Sequence, residues 1–223
     1  MSETMYTPGD PHRVTRQFED ALCAYTGAPF AVTTTSCTQA ILMALAWHAQ
    51  WPVLVGTLAP VNVVADFKLA PVAVPKLSYV GVPAAVRNAG LPVAFRDEDW
   101  QGEYKLDPYP VWDSARRFTS GMYRPGAMQC VSFHWGKILG LSQGGAILHD
   151  NPEADAWLRR ARFDGRTEGV PAKDDQVQYP SWHAYLSPEV AAHGLMKLSL
   201  LPKHNPDLPR SDYGDLGLLE AFK

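Results

Sequence analysis

The chain has 223 residues, 46% of them hydrophobic and 19% charged, with a formal net charge of −3 at pH 7. That composition is ordinary for a globular protein with one substantial core, so we expect a single domain over residues 1–223. It contains no basic stripe for nucleic-acid phosphates, no apolar signal-peptide core and no uncharged run of membrane-spanning length. We therefore expect a soluble cytoplasmic protein with no membrane partner.

Cysteine and histidine spacing argues against two kinds of site. The three cysteines form an odd and sparse set, which argues against a disulfide framework and for a reducing compartment. No cysteine or histidine spacing matches a zinc signature, so no metal site is expected. The residues considered for a metal are Cys130, His134, His149 and His193.

The first part of the chain predicts a helix, a strand and a second helix in succession. Residues 10–27 place apolar side chains on one helical face, with Asp10 as the cap and Gly27 at the end. The β-branched run 30–35 predicts a strand. Good helix formers follow at once, after Ser36 as a natural cap.

The rest of the chain alternates strands with helices, which predicts an α/β fold with a mostly parallel sheet. The polar run 96–108 is interpreted as a loop, and the arginines between 159 and 166 as a solvated helix face. The further predicted strands are 72–75, 91–95, 108–113, 128–133 and 145–150. The further predicted helices are 79–90, 151–165 and 187–201.

Polar residues follow several of these strands. Residues 36–38 follow the first strand, Asp113 ends a later one, and Ser132 and Lys137 follow the next. Ligands of α/β sheets bind outside the carboxyl ends of the strands, so these residues are expected at one edge. A lone lysine is usually a surface residue. Because Lys137 is expected at the same sheet edge as these polar residues, it is a candidate catalytic residue.

Five stretches resemble, in order, segments of the DegT/StrS-type sugar aminotransferases, which are fold-type I enzymes that use pyridoxal phosphate (PLP). The matching stretches are 18–45, 72–95, 111–115, 132–166 and 187–198. The resemblance implies a three-layer α/β/α sandwich, the PLP-binding large domain of that fold, with pyridoxal 5′-phosphate as cofactor.

The resemblance also implies two catalytic residues. Lys137 stands where the family lysine forms a Schiff base with the PLP aldehyde. Asp113 stands where the family aspartate pairs with the pyridine nitrogen and keeps the ring an electron sink.

Further cofactor contacts follow from the same resemblance. Ser36, Cys37 and Thr38 open a helix whose N–H groups suit the phosphate, although Cys37 replaces the family glycine. Ser132 matches a phosphate-binding serine, and Tyr79 an aromatic that stacks on the ring. Two more positions complete the set: Arg116, near the cofactor hydroxyl, and His183, where the family has an asparagine that reaches the phosphate of the neighbouring subunit.

The chain also departs from the family pattern. Tyr185 stands where the family has an arginine suited to a substrate carboxylate. An apparent insertion lies around residues 52–72, and the C-terminal domain that helps hold the sugar nucleotide in the family is expected to be largely absent. We expect a homodimer with shared sites.

Three functions remain open at this stage. The first is an aminotransferase acting on an amine or amino-acid substrate. The second is a PLP-dependent decarboxylase, since some compact proteins of this style resemble bacteriophage enzymes of thymidine hypermodification. Nucleic acid is not an expected partner unless the substrate is such a modified base in DNA. The third is a non-catalytic PLP-binding remnant, against which the retention of Lys137 and Asp113 speaks.

Overall fold

The computed structural model describes residues 9, 10, 12–56, 70–177, 179 and 181–222. Most of the apparent insertion around 52–72 therefore lies outside the described residues. The helices are α1 (Arg13–Thr26), α2 (Cys37–Gly56), α3 (Gly81–Asn88), α4 (Pro152–Ala161) and α5 (Pro188–Leu200). The strands are β1 (Phe30–Thr34), β2 (Val72–Pro75), β3 (Val93–Arg96), β4 (Tyr104–Lys105), β5 (Val111–Asp113), β6 (Met128–Ser132) and β7 (Gly145–His149).

Five strands form one sheet in the order β1-β7-β6-β5-β4, and β2 pairs with β3 separately. Strand β7 is antiparallel to both β1 and β6, while β5 is parallel to β6. Strands β1, β5 and β6 therefore run in one direction. Their carboxyl ends share one edge of the sheet, and β7 begins there.

The predicted α/β class is confirmed, but the sheet is mixed and not mostly parallel. Three of the four strand pairs in the five-stranded sheet are antiparallel. One reason is that loop 133–144 contains no crossover helix, so β7 returns directly beside β6. The other is that β4, inside the run interpreted as loop, pairs antiparallel with β5.

Helices cover both faces of the five-stranded sheet and make the three-layer sandwich. Alternate residues of β6 and β7 enter opposite cores, as strand geometry requires. Cys130 and Ile147 pack with α2, α3 and α4, whereas Val131 and Leu148 pack with α1 and α5. In the parts of the chain that the structure describes, none of the helices combines the length and apolar character needed to cross a bilayer.

The first helix begins later than its sequence pattern predicts. Asp10 does not cap it, because α1 starts at Arg13 and the Asp10 carboxylate accepts the His12 N–H at 2.9 Å outside the helix. Its end is as predicted, with Gly27 in the left-handed region at φ 82°.

The arginines between 159 and 166 do not form a solvated helix face. Arg162 is 0% exposed, and its guanidinium donates to the Thr33 carbonyl at 2.9 Å and to Glu168 at 2.8 Å. It also pairs with Glu19 of α1, which receives Arg159 at 2.7 Å as well. These charges tie α1, β1 and α4 together inside the protein.

Candidate active site

Eight of the nine predicted cofactor-binding residues line one cavity of about 400 Å³ at the carboxyl edge of the sheet. The volume is within the usual range for small-molecule sites. The eight are Ser36, Cys37, Thr38, Tyr79, Asp113, Arg116, Ser132 and Lys137. The structure thus brings together residues as far apart in the chain as Ser36 and Lys137, and their roles toward a cofactor stay predictions.

The floor of the cavity is the turn from β1 into α2. Ser36 caps the helix, since its hydroxyl accepts the Gln39 N–H at 3.1 Å. The N–H groups of Cys37 and Thr38 stand at the helix start, where they have no intrahelical acceptor and where an anion could use them. Gly145 allows β7 to start beside this turn, because a Cβ there would lie 2.5 Å from the Cys37 nitrogen.

Cys37 fits this turn although the family has glycine there. Its side chain is buried, and its thiol donates to the Cys130 carbonyl at 3.4 Å. Burial raises the pKa of Cys37 well above its usual value, and the charge of Asp113 adds to the effect. The thiol is therefore a neutral packing group in the cavity wall.

Asp113 is only 5% exposed and is held from two sides. The Tyr104 hydroxyl donates to its Oδ2 at 2.6 Å, and the Ala115 N–H donates to its Oδ1 at 3.0 Å. Burial raises the pKa of Asp113 above its usual value. The two hydrogen bonds and the charges of Lys137 and Arg116 act in the opposite direction. The result is an oriented carboxylate in an apolar setting.

Lys137 lies in the loop between β6 and β7 and is half-buried. Its backbone N–H donates to the His134 carbonyl at 2.9 Å, and Leu141 N–H donates to the Phe133 carbonyl at 2.8 Å. These bonds fold the loop back onto the end of β6. Ser132, at that strand end, is 9% exposed and accepts the His134 N–H at 3.4 Å.

Around Tyr79, the cavity is lined by residues that the sequence did not single out. Tyr79 is 53% exposed and lies 6.3 Å, ring to ring, from Tyr213. Trp100, Ser211 and Tyr213 also line the cavity. In the sequence, only the aromatic side chains of Trp100 and Tyr213 could have suggested a binding site. Trp100 lies in a run interpreted as a loop, and residues 211 and 213 follow the last long helix without a periodic pattern.

His183 lies outside the cavity of its own chain. Its side chain is 69% exposed, and Nδ1 lies 2.7 Å from the Asp164 carboxylate. Its predicted role in a neighbouring subunit stays a prediction. Among the described residues, no group of three histidine, cysteine or acidic side chains could hold a metal ion.

A family model supplies the decisive comparison: the DegT/DnrJ/EryC1/StrS aminotransferase family matches residues 5–121, more than half of the chain. The chain belongs to this family. The match includes Asp113 and Arg116 but stops before Lys137. No curated protein matches the chain.

Solved structures show the same fold. The sugar aminotransferase CalS13 from Micromonospora echinospora matches with a TM-score of 0.64 at 17% identity, over 84% of this chain and 60% of that one. A Bacillus subtilis protein, ntda with bound cofactor pmp, matches with 0.61 at 18%, over 87% and 49%. The GDP-4-keto-6-deoxymannose-3-dehydratase ColD matches with 0.62 at 17%, over 85% and 61%.

The chain spans between half and about three fifths of these neighbours. At such identities the likeness establishes the fold. Family membership and the pmp-bearing neighbour support the expected cofactor, pyridoxal phosphate, for this family member.

Proposed function

We propose that this chain is a PLP-dependent enzyme that transfers an amino group from an amine or amino-acid substrate. One observation supports the proposal most: the buried, oriented acid Asp113 and Lys137 line the same cavity, at the N-terminus of α2. Two hydrogen bonds hold the buried Asp113 carboxylate in one orientation, and an acid that served only as a solvent-exposed surface group would not need them.

The residues present fit the cofactor in kind. The amine of Lys137 would hold its aldehyde, and Asp113 its ring nitrogen. The N–H groups of Cys37 and Thr38, with the Ser132 hydroxyl, would hold its phosphate. When bound, PLP supplies an aldehyde for amines and a ring that withdraws electrons from the bonds of the amine-bearing carbon.

The chain contributes orientation and proton transfer. Tyr104 and the Ala115 N–H fix the Asp113 carboxylate, so its charge stays directed at one point of the cavity. The Lys137 amine would serve as the base that takes a proton from the amine-bearing carbon of the substrate and as the acid that gives it back. Lys137 is half-buried and lines the same cavity as Asp113.

Decarboxylation is a second candidate reaction. It stays open because Tyr185 replaces the arginine that the family uses for a substrate carboxylate. The Tyr185 ring packs against His12 and Phe163 at 5.4 and 5.3 Å, so the family position for a substrate-binding arginine holds an aromatic. One protein with a similar fold, ColD, is a dehydratase, so this fold also occurs in enzymes that are named for a reaction other than transamination. A modified thymidine in DNA is one substrate that this alternative would accept.

Borohydride reduction of the PLP-loaded protein tests the anchor. The reduced cofactor is expected on Lys137 by peptide mass analysis, and Lys137→Ala should abolish the linkage. Turnover should fall by about 10²–10⁴-fold. Lys173→Ala, at an exposed lysine outside the cavity, is the control and should behave as wild type. Labelling of another lysine in wild type would refute the assignment.

Single-turnover measurements with candidate amines separate the reactions. Conversion of the cofactor to its amine form supports transamination. Release of carbon dioxide with PLP retained supports decarboxylation. A protein that binds PLP but processes no amine would favour the non-catalytic reading.

A further inference from the structure

The segment after α5 closes one side of the cavity. We call residues 202–222 the strap. Asn205 donates from its side chain to the Phe118 carbonyl at 3.1 Å, and the Arg117 Nε donates to Asp207 at 2.9 Å. Further along, the Leu216 N–H donates to the Lys76 carbonyl at 2.9 Å, and Leu216 is 4% exposed.

These anchors lie on both sides of the part of the strap that reaches the cavity. Ser211 and Tyr213 line the cavity between them. The strap is therefore an anchored wall of the cavity, and its Ser211 and Tyr213 side chains would contact a molecule bound there. Arg116 faces this wall, since its Nη2 donates to the Ser211 hydroxyl.

Arg116 differs from its neighbour Arg117 in its partners. Arg117 takes two carboxylates, Glu103 and Asp207. Among the described residues, no carboxylate lies within 4.0 Å of the Arg116 guanidinium. Its Nη2 donates to the neutral Ser211 hydroxyl, and its Nε is buried without any hydrogen-bond acceptor in the described part of the chain.

Arg116 thus lacks both a hydrogen-bond acceptor for its Nε and a carboxylate within salt-bridge distance among the described residues. A buried donor without an acceptor costs free energy, and a cation in a cavity is stabilised by an opposite charge. Asp113 shares the cavity and feels the charge of Arg116, but its carboxylate is not within 4.0 Å of the guanidinium and so does not fill this place. An anion that entered the cavity would fill this place.

We propose that Arg116, positioned by Ser211, binds a carboxylate of the substrate. The substrate class is then an amine that carries a carboxylate, the minimal case being an α-amino acid. This inference rests on the proposed function. A guanidinium suits a carboxylate because its planar fork can donate two parallel hydrogen bonds. Arg116 would thereby supply the cation that position 185 lacks.

Alanine and alaninamide test the proposal, because they have nearly the same shape and differ in the negative charge. The half-saturating concentration of each is measured from the change in cofactor absorbance of the PLP-loaded protein. Wild type should prefer alanine. Arg116→Gln should reduce that preference on the order of 10- to 100-fold, the usual effect of a charged hydrogen bond.

Three further variants sharpen the test. Arg116→Lys keeps the charge without the fork and should retain part of the preference. Ser211→Ala should reduce it less than Arg116→Gln, since the arginine remains. The control is Arg210→Gln, because Arg210 also belongs to the strap but pairs with Asp99 outside the cavity lining. Its preference should equal that of wild type.

The backbone of Arg116 holds the strap independently of its side chain, since its carbonyl accepts the Leu208 N–H at 2.9 Å. Thermal unfolding of each variant checks that the fold is retained. An equal response to alanine and alaninamide in wild type overturns the proposal, as does an unchanged preference in Arg116→Gln.

Two results separate this inference from the proposed function. If Arg116→Gln loses cofactor while its preference is unchanged, Arg116 holds the cofactor and not the substrate, and the inference fails alone. If borohydride fixes no cofactor on Lys137 in wild type, the proposed function fails first. Fixed cofactor with no response to alanine at saturating concentrations overturns only the inference.

Discussion

At the scale of single residues, the central feature of the site is the contact between Asp113 and Tyr104. Both side chains are buried, and burial raises the pKa of each. The Tyr104 hydroxyl stabilises the charged form of Asp113 by donating at 2.6 Å. Tyr104 is therefore a positioning residue that favours the charged form of Asp113.

Replacing Tyr104 by phenylalanine should move the acid limb of the activity profile to higher pH. The change removes a donor that lowers the pKa of Asp113, so the carboxylate would become protonated at a higher pH than in wild type. The measurement is kcat against pH. Tyr109→Phe, at a half-buried tyrosine with no contact to Asp113, should leave the limb in place.

Asp113→Asn should keep part of the bound cofactor and lose most of the turnover. An amide can still donate or accept a hydrogen bond, but it cannot keep the ring nitrogen protonated. Cofactor absorbance and single-turnover rates measure the two effects separately. Near-normal turnover in this variant would remove the role assigned to Asp113.

At the scale of elements, the approach of β7 to the start of α2 shapes the floor of the site. Gly145→Ala would place a Cβ 2.5 Å from the backbone nitrogen of Cys37, which no side-chain rotation can relieve. We expect a loss of about 1–3 kcal/mol in the free energy of unfolding, measured with urea, together with weaker PLP retention. Gly214→Ala, with nothing within 4 Å of the added Cβ, is the control and should unfold like wild type.

The buried charges between α1, β1 and α4 predict a loss of stability in acid. Burial alone would raise the pKa of Glu19, but Arg162, Arg159 and the Thr33 N–H hold it below its usual 4.5. The carboxylate is therefore more acidic in the folded protein than in the unfolded chain. Its contribution is present above pH 4.5 and is lost as the pH falls through the folded pKa.

Urea unfolding between about pH 5.5 and 3.5 measures this loss. Glu19→Gln should be less stable than wild type at the upper pH by about 3–5 kcal/mol, because buried Arg162 loses one of its two carboxylate partners and Arg159 loses Glu19 as well. The difference between the two proteins should narrow at the lower pH. A constant difference across this range would contradict the role of Glu19.

At the scale of the whole molecule, His183 points to assembly. The exposed imidazole lies outside its own cavity, as a residue destined for a neighbouring subunit would. We predict a homodimer in which His183 of one chain completes the site of the other. Inactive Lys137→Ala chains mixed with inactive His183→Ala chains should then regain part of the activity.

The matched control replaces the second partner with the double variant Lys137→Ala/His183→Ala, which offers no intact lysine and should restore nothing. Sedimentation of the wild type gives the oligomeric state directly. A monomer, or a fully active His183→Ala protein, would contradict the prediction of shared sites.

Local sequence determined the order of the elements and the place of the main site residues. Ser36 could be predicted as a helix cap because capping depends on a few neighbouring residues. Asp113 and Lys137 could be placed at the sheet edge because strands and their ends follow from short patterns. The resemblance to the family then gave these positions their roles.

Only the tertiary structure decided what depends on distant contacts. Arg162 and Arg160 look alike in the sequence, yet Arg162 is fully buried because Glu19, far away in the chain, receives its charge. The antiparallel return of β7 depends on its pairing with β1, and the short β4 exists because β5 lies beside it. Ser211 joins the site because the strap folds back over the cavity, a packing that no local pattern specifies.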